Sequence, residues 1–497
     1  MQDGNAAIPL RADTIGKLPP TVDAPRYPLA QRYVGIVHLG LGGFHRAHMA
    51  RYTHALMQQD PAARGWSIAG AGLLPHDRRM AESIGPQDGL YTLIERSGSD
   101  ETVSVIGSIA KVIYAADSSA ALLDAIQHPN VRIVSLTVTE NGYCLNPATR
   151  QLDLENSLIR ADLATPDTPR SAIGIIVESY RRRMQAGQPA FTALSCDNIQ
   201  HNGNVLHAAV LVLARLRDPA LAAWIEAQGA FPNTMVDRIT PVTAPADIKY
   251  LERTYGIADH WPVVCEDFTQ WFIEDHFVAG RPAWEKVGAQ FVPDVTPYEM
   301  MKLRLLNGSH LAVAALGRLL GYTYIHETMA DDLLRRLMAT LMDRETGPTL
   351  PPVSGIDLAD YKRTLIARFA NPAIRDTVER VNTDAPLNVL TMPIAARLEM
   401  GGSVDLLALS LAAWIRRVRG VDEQGQAIDV RHPLAALLRQ KAGEGGPDPA
   451  PVLSITQLFG SLGNDARLVV PLRRWLTMLY ELGARRTLAG AAEELNF

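Results

Sequence analysis

The segment Tyr298-Glu299-Met300-Met301-Lys302-Leu303-Arg304-Leu305-Leu306-Asn307-Gly308-Ser309-His310 holds the residues whose types and spacing best suit chemistry. Its apolar run through Met300, Leu305, Leu306, Leu311 and Ala314 is interrupted by Asn307, Ser309 and His310. Polar groups on a buried helix must be paired or used. At about 100° per residue, Asn307 lies about 140° and His310 about 80° around the axis from Lys302, so the spacing places all three on one broad face. A lysine there can act as general base when burial and a nearby cation favour its neutral amine, taking a hydroxyl proton as hydride leaves the adjoining carbon. An amide such as Asn307 can donate to the alkoxide that develops. His310 can orient a neighbouring hydroxyl. The plainer readings are a solvated lysine and a helix kink at Asn307-Gly308.

A hydride needs an acceptor, and Val34-Gly35-Ile36-Val37-His38-Leu39-Gly40-Leu41-Gly42-Gly43-Phe44-His45 reads as a buried strand, a glycine turn and a helix start. In that context Gly40 makes the tight turn, and Gly42 lets the backbone approach a pyrophosphate at the helix N-terminus. His45 stands where the third glycine of the usual pattern would be, and Gly43, Phe44 and His45 are expected to line the site. The second strand ends at Pro75-His76-Asp77-Arg78-Arg79. Asp77 there can accept from the ribose hydroxyls of NAD, whereas Arg78 and Arg79 can receive the 2′-phosphate of NADP. Thr137-Val138-Thr139-Glu140-Asn141-Gly142-Tyr143 closes another strand with polar residues, so Thr139 and Glu140 are expected in the cofactor cleft, with a plain turn as the competing reading. Asn198, at a strand's C-terminal end, has a good site position or a turn-forming role.

The elements that must position these residues change character along the chain. Residues 1–30, rich in proline, read as an irregular arm lying on the first domain. Over 31–295, β-branched runs at Val34–Leu39, Ser67–Leu74, Val103–Ile109, Val131–Val138 and Phe191–Cys196 alternate with helical stretches at His45–Gln58, Ser118–Gln127, Ala172–Ala186 and Asn202–Leu216. This predicts a largely parallel, doubly wound α/β sheet that binds a dinucleotide. Over 296–497 the strand signals nearly vanish, and amphipathic segments at Pro297–Leu320, Met329–Asp343, Leu358–Ala370, Val404–Arg419 and Pro471–Leu482 predict an all-helical substrate and catalytic domain. Thr296-Pro297-Tyr298-Glu299 offers a capping Thr, Pro at the first helical position and Glu three residues after the cap.

Composition excludes several function classes. A chain of 497 residues that is 47% hydrophobic is long enough for two or three cores. Its 48 Lys and Arg against 53 Asp and Glu give a net charge of −5 with no basic stripe, which disfavours nucleic acid. Cys144, Cys196 and Cys265 form no C-x-x-C pair, so neither a disulfide framework nor a cysteine zinc site is readable, and a reducing cytosol fits. No H-E-x-x-H spacing occurs among the 13 histidines, and the expectation is no metal. The start Met1-Gln2-Asp3-Gly4-Asn5 lacks a signal-peptide pattern, and the longest apolar stretch, Leu406 to Ile415, is far too short to span a bilayer. The chain is expected to be cytoplasmic, with a monomer as the default.

Five separated stretches carry a resemblance. Gly40-Leu41-Gly42-Gly43-Phe44-His45-Arg46-Ala47-His48, Asp88-Gly89-Leu90-Tyr91, Thr139-Glu140-Asn141-Gly142-Tyr143, Ser195-Cys196-Asp197-Asn198 and Lys302-Leu303-Arg304-Leu305-Leu306-Asn307-Gly308-Ser309-His310 together resemble the polyol-specific long-chain dehydrogenases, the mannitol dehydrogenase family. The resemblance runs from about residue 30 to near the C-terminus. It implies a zinc-independent, NAD(P)-dependent secondary-alcohol dehydrogenase, with a Rossmann-type N-terminal domain and a helical C-terminal one. It implies Lys302 as general base, Asn198 and Asn307 as the amides holding the reacting oxygen, and His310 as a substrate-binding histidine. Glu299 is implied as a carboxylate relaying the base's proton, and Asp237 and Arg380 as contacts to polyol hydroxyls. Read without the resemblance, Asp237 suits a local ion pair with Arg238, and Arg380 a surface position. The implied reaction is D-mannitol with D-fructose through NAD, with D-arabinitol or sorbitol oxidation, or hexuronate (fructuronate) reduction, as alternatives. Pro75-His76 departs from family members with an acid pair there, which bears on NAD against NADP.

Overall fold

The computed structural model describes residues 7–146 and 149–497. The signal-peptide reading at Met1 to Asn5 and the first six residues of the arm lie outside the described residues. The chain divides into two compact units, one ending at Val295 and the other Thr296–Phe497.

The first unit is built on a five-stranded parallel sheet in the spatial order Ile109–Tyr114, Ser67–Gly72, Val34–Leu39, Ile133–Leu136, Thr192–Ser195. Numbered along the chain this is 3-2-1-4-5, so the strand order reverses between Val34–Leu39 and Ile133–Leu136, where open α/β sheets bind dinucleotides. All four residues of Ile133–Leu136 and of Thr192–Ser195 are buried, as strands covered by helices on both faces must be. Helices Met49–Gln59, Ala120–Gln127 and Ala172–Gln185 cross over between strands, and Asn202–Arg217 follows the last strand. Leu122, Ile126, Ile173, Ile176, Leu206 and Val210 from these helices share a core with Val37, Val134 and Ala193 of the strands.

Three differences from the sequence reading have local causes. The run expected as one strand over Val103–Ile109 is two: Asp100–Ile106 pairs antiparallel with Tyr91–Ser97, and Ile109–Tyr114 joins the parallel sheet. The break falls at Gly107-Ser108, where Arg32 binds the carbonyls of Gly107 and Ile109 at 3.0 and 2.8 Å. The helix expected over His45–Gln58 is interrupted at His48 (φ −117°, ψ −97°), leaving Gly43–Ala47 and Met49–Gln59. A small mixed sheet of Gln290–Val292, Gln270–Glu274 and Thr234–Asp237, too short for its alternation to show in the sequence, carries Asp237 at a strand end.

The second unit is helical. Among its described residues only isolated bridges, Tyr324 with Thr377 and Val421 with Ala427, depart from helix and loop. Its core centres on Asp405–Val418, every residue of which from Leu406 to Val418 is buried. Ala466–Glu481 packs against it through Leu468, Leu472, Trp475 and Leu476. That helix starts five residues before the expected Pro471, because Asp465 caps it by accepting from Arg467 N at 2.9 Å.

Candidate active site

In the first unit Gly40 sits at φ +92°, and a Cβ there would collide with the carbonyl of Thr137. Only glycine meets both demands. The turn is pinned by Gly40 N donating to Ala71 O at 2.8 Å and by the Thr137 hydroxyl donating to Gly40 O at 2.9 Å. The Thr137 bond crosses the point where the strand order reverses. Beyond it, a Cβ on Gly42 or Gly43 would meet nothing of the chain closer than 3.9 and 3.8 Å, which leaves space over the first-turn N–H groups of Gly43, Phe44 and His45. The helix behind them is only five residues long, so these N–H groups, more than a summed helix dipole, would hold a pyrophosphate.

Three of the expected cofactor residues are placed in ways the sequence did not reveal. His45 does not offer its ring to this space: it is buried and stacked on His38 with ring centroids 3.4 Å apart. His38 bonds Ser135 Oγ and Thr137 Oγ1 at 2.8 and 2.9 Å, and burial pushes it down to about 3, so this layer under the turn stays uncharged. Asp77 lies at the end of the second strand, but its Oδ2 accepts from Leu73 N and Leu74 N at 2.9 Å each, and its Oδ1 lies 3.6 Å from His76 Nε2. Phe44 stacks on His48. The neighbouring Arg78 pairs with Asp117 at 2.6 Å and lies over Tyr114, and Arg79 lies over Trp261.

Thr139 adopts φ +61°, ψ +170°, a region that only glycine visits at low cost and that is a true outlier for a β-branched residue. A buried carboxylate holds it there. Asp197 accepts from Val138 N at 3.1 Å, Thr139 N at 2.8 Å and the Tyr143 hydroxyl at 2.9 Å. Burial pushes Asp197 up to about 6 against the lowering effect of those three donors. Thr139, Glu140 and, one residue past the carboxylate, Asn198 are exposed at this end of the sheet. Asp237 is buried at its strand end, and the Arg238 beside it forms its ion pair with Glu95 instead.

In the second unit the expected single helix has three parts: α-helical Thr296–Met301, π-helical Lys302–Asn307 and α-helical Gly308–Leu319. The Gly308 N–H donates to Leu303 O, an i→i−5 bond. A π-turn brings positions five apart closer together around the axis than an α-helix does, so Asn307 moves nearer the face of Lys302 than α-helical spacing predicts. Gly308 allows this helix to approach another: a Cβ would stand 3.0 Å from Val389 O. Glu299 and Lys302, three apart along the helix, are both buried, at 4% and 8% exposure. His310 is buried and stacked on Phe369 at 4.2 Å. Its Nε2 lies 3.5 Å from Asp376 Oδ2.

Arg380 is not a lone surface cation. Its Nε and Nη2 donate to the two oxygens of Asp376 at 2.6 and 2.5 Å, and Nη1 donates to Asp384 at 3.2 Å. Asp376, 4% exposed, therefore links Arg380 to His310. Sequence reasoning passed over Asp376 and the part played by Asp197. The only local signals were the i, i+4 spacing of Asp376 and Arg380 and the placing of Asp197 just past a strand. Among the described residues no three or more His, Cys, Asp or Glu side chains gather as a metal ion would require.

Comparison with known proteins decides the family. The mannitol dehydrogenase Rossmann domain profile matches residues 34–286, and the mannitol dehydrogenase C-terminal domain profile matches residues 294–479. The chain belongs to the mannitol dehydrogenase family. Among its relatives in that family, the mannitol 2-dehydrogenase of Emericella nidulans is 43% identical over 91% of this chain and 92% of its own length. The Pseudomonas fluorescens mannitol 2-dehydrogenase, solved in ternary complex with NAD and D-mannitol, superposes with a TM-score of 0.89 at 42% identity, covering 98% of this chain and 100% of that one. A D-sorbitol dehydrogenase solved in substrate-free form superposes with a TM-score of 0.87 at 35% identity, covering 96% of this chain and 100% of that one.

Proposed function

We propose that this mannitol dehydrogenase family member interconverts D-mannitol and D-fructose by hydride transfer at C2, with NAD as coenzyme and without a metal. The observation that carries the reading is the end-to-end match to an enzyme held with NAD and D-mannitol, at 42% identity. The site fits NAD: the turn at Gly42-Gly43 leaves room over backbone N–H groups, and Asp77 stands at the end of the second strand, where this fold sets an acid against the ribose hydroxyls. The engagement of Arg78 and Arg79 elsewhere supports NAD over NADP.

When bound, NAD supplies the hydride acceptor. Lys302, buried on its helix, takes the hydroxyl proton of the alcohol as general base. Asn198 and Asn307 donate to the oxygen as its charge builds. Glu299, three residues from Lys302, passes the proton on. His310, with Asp376 behind it, binds a substrate hydroxyl, and Asp237 and Arg380 take further hydroxyls. We take the cytosol as its compartment and a monomer as its default state; the three buried free thiols support a reducing compartment.

Sorbitol is the second reading, supported by the likeness to D-sorbitol dehydrogenase. Hexuronate reduction is less well supported, because the Arg380 fork that would bind a substrate carboxylate already holds Asp376 and faces Asp384. Initial rates with mannitol, sorbitol, arabinitol and mannonate, each with NAD and NADP, test the proposal. Mannitol with NAD is expected to give the highest kcat/KM. Turnover of mannonate alone would overturn it.

A further inference from the structure

Three observations meet at one end of the parallel sheet. Thr139 is held in a glycine-like conformation although it is β-branched. The Asp197 carboxylate that holds it is buried, and the three donors to it, Val138 N, Thr139 N and the Tyr143 hydroxyl, come from one short stretch of chain. This stretch follows Thr137, whose hydroxyl binds Gly40 O in the dinucleotide turn. The Asp197 backbone is itself fixed, its carbonyl accepting from Asn202 Nδ2 at 2.9 Å and its N–H donating to Ser195 Oγ at 3.3 Å. The Tyr143 hydroxyl completes the frame through Ser195 Oγ at 2.5 Å. The loop after the fourth strand is thus clamped from the end of the fifth.

We infer that Asp197 is a positioning residue for the coenzyme, which sets the affinity for NADH by holding Thr139 in a strained conformation that presents the Val138–Glu140 backbone to the nicotinamide half of the dinucleotide. The inference rests on the NAD reading above. The fourth and fifth strands form the second mononucleotide half of the sheet, and the exposed side of Thr139 and Glu140 lies at their C-terminal ends, where that half binds. Without the carboxylate, Thr139 relaxes toward a negative φ and takes its N–H and carbonyl with it. Strained backbone that the surroundings over-determine is a recurrent device of preorganised sites.

The test is a double-mutant cycle read by NADH fluorescence titration, with thermal midpoints alongside. Wild-type binding of NADH comes first, and its absence would overturn the NAD reading itself rather than the clamp. Asp197→Asn, which keeps one acceptor oxygen and sets an NH2 group against the donor or donors of the other, is expected to weaken NADH by about tenfold. In a Thr139→Gly background, where the same backbone conformation carries no strain, the Asp197→Asn penalty is expected to shrink to about twofold, and Thr139→Gly alone to raise the thermal midpoint. A purely structural role would lower the midpoint equally in both backgrounds without moving the NADH penalty. The inference is overturned if Asp197→Asn leaves NADH affinity unchanged, or if its penalty is the same in the wild-type and Thr139→Gly backgrounds. Should Asp197→Asn fail to fold, Tyr143→Phe, which removes one of the three donors, is expected to weaken NADH by about threefold, and no change would overturn the inference.

Discussion

Lys302, at 8% exposure, lies on the same run of helix that carries Asn307 and His310, where a charged amine must be paired. Lys302→Ala is expected to lower kcat for mannitol oxidation by about 10³-fold, within the range of a lost general base, while NADH still titrates. Rates near those of the wild type would show that the proton goes elsewhere. These residues were legible because polar side chains broke an apolar run. Asp376 and Asp197 were not, since a carboxylate that serves an imidazole 66 positions earlier, or amides 58 and 59 positions earlier, leaves no local pattern. His45, Asp77 and Arg380 show the complementary gap. Their places along the chain were readable, but their partners, the His38 ring, the Leu73 and Leu74 amides and the Asp376 carboxylate, are set by the fold.

At the scale of elements, periodicity located four of the five parallel strands, missing Ile109–Tyr114, and most helices, but not their irregularities. The π-turn over Lys302–Asn307 arises where Gly308 lets the helix close on Val389, a tertiary contact with no sequence period. A second π-helical stretch, Met342–Thr346, carries Glu345, whose two oxygens accept from Leu406 N and Leu407 N at 2.9 and 2.8 Å. Glu345 thereby caps the central helix Asp405–Val418, whose N-cap residue Val404 has no side chain to do so. Burial pushes its carboxyl up to about 7. The folded chain therefore keeps a proton that the unfolded chain releases near the ordinary carboxylate range, and the resulting stability is lost as pH rises toward 7, by about 3 kcal/mol for this group. Asp197 contributes with the same sign, so the comparison must be with a variant. The thermal midpoint of the wild type is expected to fall relative to Glu345→Gln between pH 5 and pH 7.5. Parallel profiles would remove Glu345 from the titration.

For the whole molecule, the change from alternating strands and helices to helices alone was readable because burial on both faces and burial on one stripe leave different apolar patterns. The small mixed sheet of Thr234–Asp237, Gln270–Glu274 and Gln290–Val292 was not, for its strands of three to five residues hold too few alternations. No helix among the described residues is long and apolar enough to cross a membrane. Burial pushes the Cys144 and Cys265 thiols up to about 11 and about 12, so neither is poised as a thiolate. On the proposed mechanism the reaction falls to Lys302, Asn198, Asn307 and the coenzyme. The most direct test of that account is NADH formation from D-mannitol and NAD by the full chain after dialysis against a strong chelator. The account predicts a rate equal to that of the undialysed enzyme. Loss of the rate with recovery on adding zinc, or no mannitol-dependent NADH at all, would contradict it.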